Sequence, residues 1–543
     1  MCTRLGPCKF KGIVVRANQF FEKQSVSLTP LSPLHIGCGE DYEPTNFVAD
    51  SDKQLLYFFD PSLVPLTDGE KKRLGQIARS GSIREIYKFY DSHFQLYSAY
   101  ASNVVPFDRG IRQKIEKLRS GDFGVGGLIS NRLEIPRTMY SCKGKKNLPY
   151  VPGSTMKGAI HTAFLDRLSE NYKGPVLENR ELDKVLLKGT MNNSPMKLIS
   201  LSDFLKDDDA VSGTRIIRRS NISKKKPPVF ASNGVPSSAE VVIPGEYRPF
   251  AAEITLKQPL KEDDVDKSVC YRTIPEILKD LNRFNLTQFS DQADYWSKGS
   301  KATNVWLQSV GQLLEEMTPR FEKGTAALVR LGMNTGAQNL TIRRPGFPKI
   351  ISRGTKGSKA QVENPTSGTV ALIDTTHFQG MLPFGWAILE FDNLENEPLK
   401  RWCRECSKLF PNQERELVSE LIELKKAVLE KQIKRRQEEE CLKKAAIQKE
   451  QVEAEEKRRL NEMPESMRRL AILVKRIEGT PRIQPGSELS KEVVRLLSDA
   501  EQWSAEDQHQ IAATISKFVK SKGLDAGNVG KGIKQQLRKL RGE

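Results

Sequence analysis

The chain has 543 residues, enough for three or four folding units of about 100 to 200 residues each, and 38% of them are hydrophobic. Lysine and arginine total 86 against 68 acids, a formal charge of +18, so the surface attracts polyanions and nucleic acid is the default partner. No run approaches the roughly 20 apolar residues that span a bilayer, and Met1 to Phe10 lacks the apolar core of a signal peptide. These features predict a cytoplasmic protein with no membrane partner.

From Gln24 to Val48 the chain reads as extended structure. Ser25-Val26-Ser27-Leu28 alternates as a strand, then Pro30, Pro33, Gly37 and Gly39 punctuate a loop. Between about residues 61 and 119, apolar residues at spacings of three or four, among them Ile83, Ile86, Phe89, Tyr90, Ile111 and Ile115, predict a helical insertion. Leu148 to Pro152 is a short extended run that turns into a helix over about Thr155 to Ser169, with Ser154 or Thr155 as the natural N-cap.

Strand patterns return at Leu198 to Leu201, Thr214 to Ile217, Ala239 to Ile243 and Ala252 to Leu256. The span Ser220 to Pro228, with Lys224, Lys225 and Lys226 ahead of two prolines, is excluded as a central strand and is expected to be a hairpin tip or loop. Helices around Ile274 to Asn282 and Asn304 to Met317 follow, then strands at Ala326 to Leu331 and Trp386 to Phe391. This irregular order predicts an α+β fold with antiparallel sheets.

After Pro411 the character changes. From Glu414 to Glu462 there is no Gly or Pro and strong helix formers dominate, which predicts one long charged helix. Leu417, Leu421, Leu424 and Val428 form a short apolar seam that fades beyond Ile433. Beyond Pro464 a helical module uses Leu470, Leu473 and Ile477, then Val493, Leu496 and Leu497, then Ile511, Ile515 and Val519. A basic tail with Lys531, Lys534, Arg538, Lys539 and Arg541 closes the chain; the module and this tail are expected to touch RNA or another subunit.

The most specific element is Pro152-Gly153-Ser154-Thr155-Met156-Lys157-Gly158-Ala159. A glycine allows close backbone approach, amides at a helix start point outward and Lys157 adds charge, so together they favour an anionic oxygen. The GxxxxGK[ST] spacing of a nucleotide-hydrolysing loop is absent. Cys403 and Cys406 make half of a zinc site and read as packing thiols; Asp207, Asp208 and Asp209 project in different directions and read as solvated. No metal and no cofactor is expected.

Leu28-Thr29-Pro30-Leu31-Ser32-Pro33-Leu34-His35-Ile36-Gly37-Cys38-Gly39-Glu40, with the Pro152 to Ala159 helix start and a later Leu201-Ser202-Asp203, resembles the RAMP-superfamily subunit of CRISPR type III-A (Csm) complexes that caps the crRNA 3′ end. A loop at Arg330-Leu331-Gly332-Met333-Asn334-Thr335-Gly336 and a strand at Pro383 to Trp386 continue the likeness, over about Gln24 to Asp392. The resemblance implies two ferredoxin-like (RRM-like) RAMP modules, over residues 1–250 with the 61–119 insertion and over 251–398. The 399–463 helix and 464–543 module lie outside it. It also implies crRNA and a neighbouring Csm backbone subunit as partners, with target RNA as a further candidate.

The expected RNA contacts are His35, Gly37, Gly39, Gly153, Ser154, Thr155, Lys157, Gly158, Lys224, Lys225, Lys226, Arg330, Gly332 and Gly336. His35 beside a glycine loop raises the alternative of a crRNA-processing endoribonuclease. Such cleavage needs a base near the 2′-OH and a second group for the leaving oxygen, and no second histidine lies close in sequence to His35. His161 could reach it only through the fold, so a non-catalytic scaffold is the expected reading. A protein-interaction adaptor acting through the helical C-terminus is the third.

Overall fold

The computed structural model describes residues 21–542 except 121–132, 142–147, 176, 178, 190–191, 207–212, 224–236, 261–264, 298–299, 344–349, 354–358, 363–366, 392–393 and 411–413. The chain mixes helix and sheet and divides into two compact units, 1–428 and 429–543. Among the described residues no helix is long and apolar enough to cross a membrane.

The first unit is organised by a five-stranded antiparallel sheet. Its spatial order is Ala326–Arg330, Trp386–Glu390, Phe21–Pro30, Phe250–Lys257 and Ile199–Leu201. Strands from both sides of residue 250 share it. In Phe250–Lys257, Phe250, Ala252, Ile254 and Leu256 face inward while the alternate residues face out, the period-two signature of a half-buried strand. Helices Gly153–Glu170 and Ile274–Trp296 cover that face with Met156, Ile160, Phe164, Ile277, Leu281 and Phe284.

Ala326–Arg330 and Trp386–Glu390 are buried on both faces. Ala327, Val329, Ala387 and Leu389 join the core just described. Ala326, Leu328, Trp386 and Ile388 meet a second core of Trp306, Val310, Leu313, Phe321 and Trp402, carried by helices Lys301–Glu316, Thr318–Lys323 and Glu397–Leu409. Cys403 and Cys406 belong to this core; burial pushes the Cys403 thiol up to about 12 and raises that of Cys406 further.

A four-stranded antiparallel sheet runs Ser237–Val242, Thr214–Ser223, Ser367–Asp374 and Gln379–Pro383. Here the structure corrects the proline argument: Ser220 to Ser223 continue the central strand and pair with Ser367 to Val370, because the prolines fall beyond the ladder. Lys224, Lys225 and Lys226 lie outside the described residues, as do Asp207 to Asp209. The 61–119 insertion is helical over Asp68–Arg79, Ile83–Ser92, Phe94–Ala99 and Arg109–Ser120. It also contains the strand Asn103–Pro106, which joins Phe47–Asp50 and Leu55–Phe58 in a three-stranded sheet. A four-residue run was too short to register as a strand.

The helix expected over Ile274 to Asn282 continues to Trp296. Asn285, Gln288 and Gln292 interrupt its apolar pattern, yet all three are buried and hydrogen-bonded. The long helix spans Glu414–Glu462 as predicted. Within the second unit, helices Glu465–Glu478, Glu488–Asp499, Ala505–Ser521 and Gly527–Leu540 share one apolar core. The expected basic tail is therefore a fourth helix, anchored by Ile533, Leu537 and Leu540 at spacings of four and three.

Candidate nucleic-acid interface

Three loops distant in sequence are joined by their main chains. Met333 N–H donates to the His35 carbonyl (2.9 Å), Leu331 N–H to the Gly385 carbonyl (2.8 Å) and Gly385 N–H to the Pro33 carbonyl (2.9 Å). Gly332 has φ +82°, and a Cβ there would lie 2.4 Å from the His35 carbonyl oxygen, so only glycine fits. A Cβ on Gly37 would meet the Met333 sulfur at 2.7 Å. The structure thus brings His35, Gly37 and Gly332 together, with the half-exposed Met333 covering them. Gly39 and Gly336 take φ +82° and +88° in open space, Gly39 within an irregular ladder between Gly37–Tyr42 and Ile135–Thr138.

His35 is fully buried, and its Nδ1–H donates to the Glu240 carbonyl at 2.6 Å. That bond leaves Nε2 as the unprotonated nitrogen, and among the described residues it has no partner. Burial lowers the His35 pKa, and nearby Arg219 lowers it further against the Glu240 bond, so the ring is neutral at pH 7. A neutral imidazole closed off behind the loop is not presented to a ribose hydroxyl.

Below the loops lies a group that sequence reasoning missed. The wholly buried Glu240 carboxylate accepts from Tyr42 Oη (3.0 Å), the Thr138 amide (3.0 Å) and Tyr140 Oη. Desolvation raises its pKa against these donors. Asn103 Nδ2 extends the network to Tyr42 at 3.3 Å. Its members are separated by as much as about 200 positions, so no local pattern reveals them.

The hairpin strand Thr214–Ser223 contributes cations that were also missed. Arg219 donates to Asn334 Oδ1 (3.0 Å) and Ser237 Oγ (2.7 Å), tying the hairpin to the 330s loop. Lys114 reaches Ser238 Oγ (3.1 Å), and its pKa is lowered by desolvation and by neighbouring Arg218. The available signal was Arg215, Arg218 and Arg219 crowded into one strand ahead of three lysines.

The Lys157 helix begins at Gly153, one residue before the predicted caps, and no side chain of Pro152 caps it. Asp203 does so from outside: its carboxylate accepts the Gly153 N–H at 2.9 Å. A Cβ on Gly153 would lie 2.6 Å from the Leu201 and Ser202 carbonyl oxygens, so the PGS and LSD segments are one packed unit. Asp203 occupies one outward amide and adds negative charge, which makes this start a weaker anion site than its sequence alone indicates. Ser154 and Gly158 are exposed, Thr155 and Lys157 half-buried, and partial desolvation lowers the Lys157 pKa. Main-chain bonds from Met139 N–H to the Ile36 carbonyl (2.9 Å) and Tyr150 N–H to the Met139 carbonyl (3.1 Å) link the stretch before this helix to the His35 loop.

Arg330 does not join them. Its guanidinium is buried, donates to the Phe384 carbonyl (3.0 Å) and Gln292 Oε1 (2.9 Å), and stacks near Trp296 and Trp386. It serves the core, with no charge facing solvent. His161 Nε2 lies 2.9 Å from Asp183 Oδ1, a surface pair.

These observations define a mixed helix and sheet protein whose glycine loops and cationic hairpin meet over a buried polar network. Residues 27–288 match the model of the RAMP superfamily. Two solved structures are similar to it. One, from a Csm-crRNA-target RNA ternary complex of a type III-A CRISPR-Cas system, is 16% identical, covering 68% of this chain and 100% of its own at a TM-score of 0.40. The other, T. onnurineus Csm5, is 13% identical, covering 67% and 100% at a TM-score of 0.37. No curated protein matches the chain.

Proposed function

We propose that this chain is a non-catalytic, RNA-binding backbone subunit of a type III-A CRISPR interference complex, closing the assembly at the crRNA 3′ end in the cytoplasm. The observation that carries the reading is the RAMP match over residues 27–288, which contains both the Leu28 to Glu40 strand and loop and the Pro152 to Ala159 helix start. The Lys157 helix start, the Gly37 and Gly332 loops and the arginine hairpin are the surfaces this reading assigns to crRNA. A neighbouring Csm backbone subunit and target RNA are its further partners. Burial of His35, and its bond to a carbonyl rather than to a proton-relaying side chain, support a scaffold over a nuclease.

Within the same reading the five-stranded sheet is one ferredoxin-like module rather than two. Phe21–Pro30, helix Gly153–Glu170, Ile199–Leu201, Phe250–Lys257, helix Ile274–Trp296 and Trp386–Glu390 follow the β-α-β-β-α-β sequence. Their strands lie antiparallel in the spatial order fourth, first, third, second, and Ala326–Arg330 is an added edge strand.

The test is RNA binding and cleavage by the purified chain, with Lys157→Ala beside it. The parent should bind RNA without cutting. Lys157→Ala should weaken binding to unrelated sequences alike and make the log-log salt slope shallower by about 0.7 to 1. RNA cleavage that disappears in His35→Ala, with folding retained, would replace this reading with the endoribonuclease.

A further inference from the structure

The four helices after Pro464 carry a cationic row that the RAMP segment does not include. From Gly527 to Gly542 the chain holds five lysines and arginines and no acid. Burial of Ile533, Leu537 and Leu540 fixes the orientation of the Gly527–Leu540 helix and turns Lys531, Lys534 and Arg538 outward. Three of the module's acids are engaged elsewhere: Asp499 with Arg469 (2.6 Å), Glu501 with Lys539 (2.6 Å) and Glu492 with Arg476. Among the described residues, Lys531, Lys534 and Arg538 have no carboxylate partner. Arg541 donates to Ser516 Oγ, which sets the end of the row beside helix Ala505–Ser521. Exposed Lys520 lies one turn beyond Ser516 on the same face of that helix.

Two properties of the row select its partner. Lys531, Lys534, Arg538 and Arg541 step along one helix by three or four residues, about 5 Å each and about 15 Å in all, a linear array suited to a polymer with regularly repeated phosphates. The exposed positions of the helix are Gly, Asn, Lys, Gln and Arg, with no aromatic or apolar side chain. A protein interface needs an apolar centre and base recognition needs stacking or groove-reading groups; this face has only charge and amides.

We propose that Lys531, Lys534 and Arg538, continued by Lys520, form a sequence-independent binding site for a nucleic-acid backbone, separate from the RAMP segment. The inference does not rest on the RNA contact assigned to Lys157.

The experiment uses the full chain and a fluorescent single-stranded RNA of mixed sequence, titrated by anisotropy at increasing KCl. The variant Lys531→Ala/Lys534→Ala/Arg538→Ala should keep its helical circular dichroism, since all three positions are exposed. It should bind about tenfold or more weakly at low salt, with a log-log slope shallower by about 2, as three lost phosphate contacts require. An RNA of unrelated sequence should show the same loss, and Lys531→Arg/Lys534→Arg should bind like the parent. Parental affinity and slope in the triple variant would overturn the site, whatever Lys157→Ala does. So would a triple variant that still binds RNA normally but fails to associate with other subunits, which would make the row a protein dock.

Discussion

The glycine-loop region and the C-terminal helical module place their polar groups in opposite ways. Around the loops, Glu240, His35 and Arg330 are buried, and each is held by specific hydrogen bonds. In the module the core is apolar, and the charges form surface pairs or stand unpaired on the outside. A buried polar group fixes geometry at the risk of a large cost when one partner is lost, whereas an exposed charge is nearly neutral for folding and free for a ligand. The first region should therefore be brittle where it looks polar, and the second brittle only where it is apolar.

The largest effect should come from Glu240→Ala, which leaves the buried Tyr42 hydroxyl and the Thr138 amide without their acceptor. We expect a loss of about 3 kcal/mol or more, read as a lower urea midpoint. A cost under about 1 kcal/mol would mean that the network is not what positions the loops. Ile533→Ala in the module core should cost about 2 to 4 kcal/mol. Far-UV melting should show the loss in the module's transition while that of residues 1–428 stays put. A shift in both would erase the contrast between the two regions.

Gly332→Ala should destabilise by about 2 kcal/mol, because the residue has φ +82° and its new Cβ would meet the His35 carbonyl. The smallest effect, and of opposite sign, belongs to Gly158→Ala. This helical glycine has nothing within 4 Å of its Cβ position, so alanine should stabilise folding by about 0.5 to 1 kcal/mol. Weaker RNA binding by that same, more stable variant would identify the bare backbone at Gly158 as a ligand contact; unchanged binding would remove it from the interface.

Local grammar carried much of this fold. The Phe250–Lys257 strand follows its alternation, and the Glu414–Glu462 helix follows from an unbroken run of helix formers. The pairing of the PGS helix start with the LSD segment was also visible as two motifs, although the Asp203 to Gly153 bond that joins them was not. What stayed hidden depends on partners far away in the chain. Nothing near Glu240 announces Tyr42 or Tyr140, and nothing near Arg330 announces Gln292 and the two tryptophans that turn it inward. The last helix was readable but misread: Gly527, Gly530, Gly532 and five cations resemble a tail, while Ile533, Leu537 and Leu540 already marked a buried stripe.

Among the described residues the first strand, Phe21–Pro30, lies in the middle of the five-stranded sheet, and one of its two neighbours is Trp386–Glu390, with Leu28 opposite Leu389. About 360 residues separate the two. At roughly 5 to 20 residues per second, a ribosome needs on the order of 20 to 70 seconds between making one and making the other. For that interval the side of Phe21–Pro30 that pairs with Trp386–Glu390 has no partner. Fragments that stop short of residue 390 should therefore be aggregation-prone during synthesis, and expression of this protein should respond to chaperone supply more than its stability would suggest.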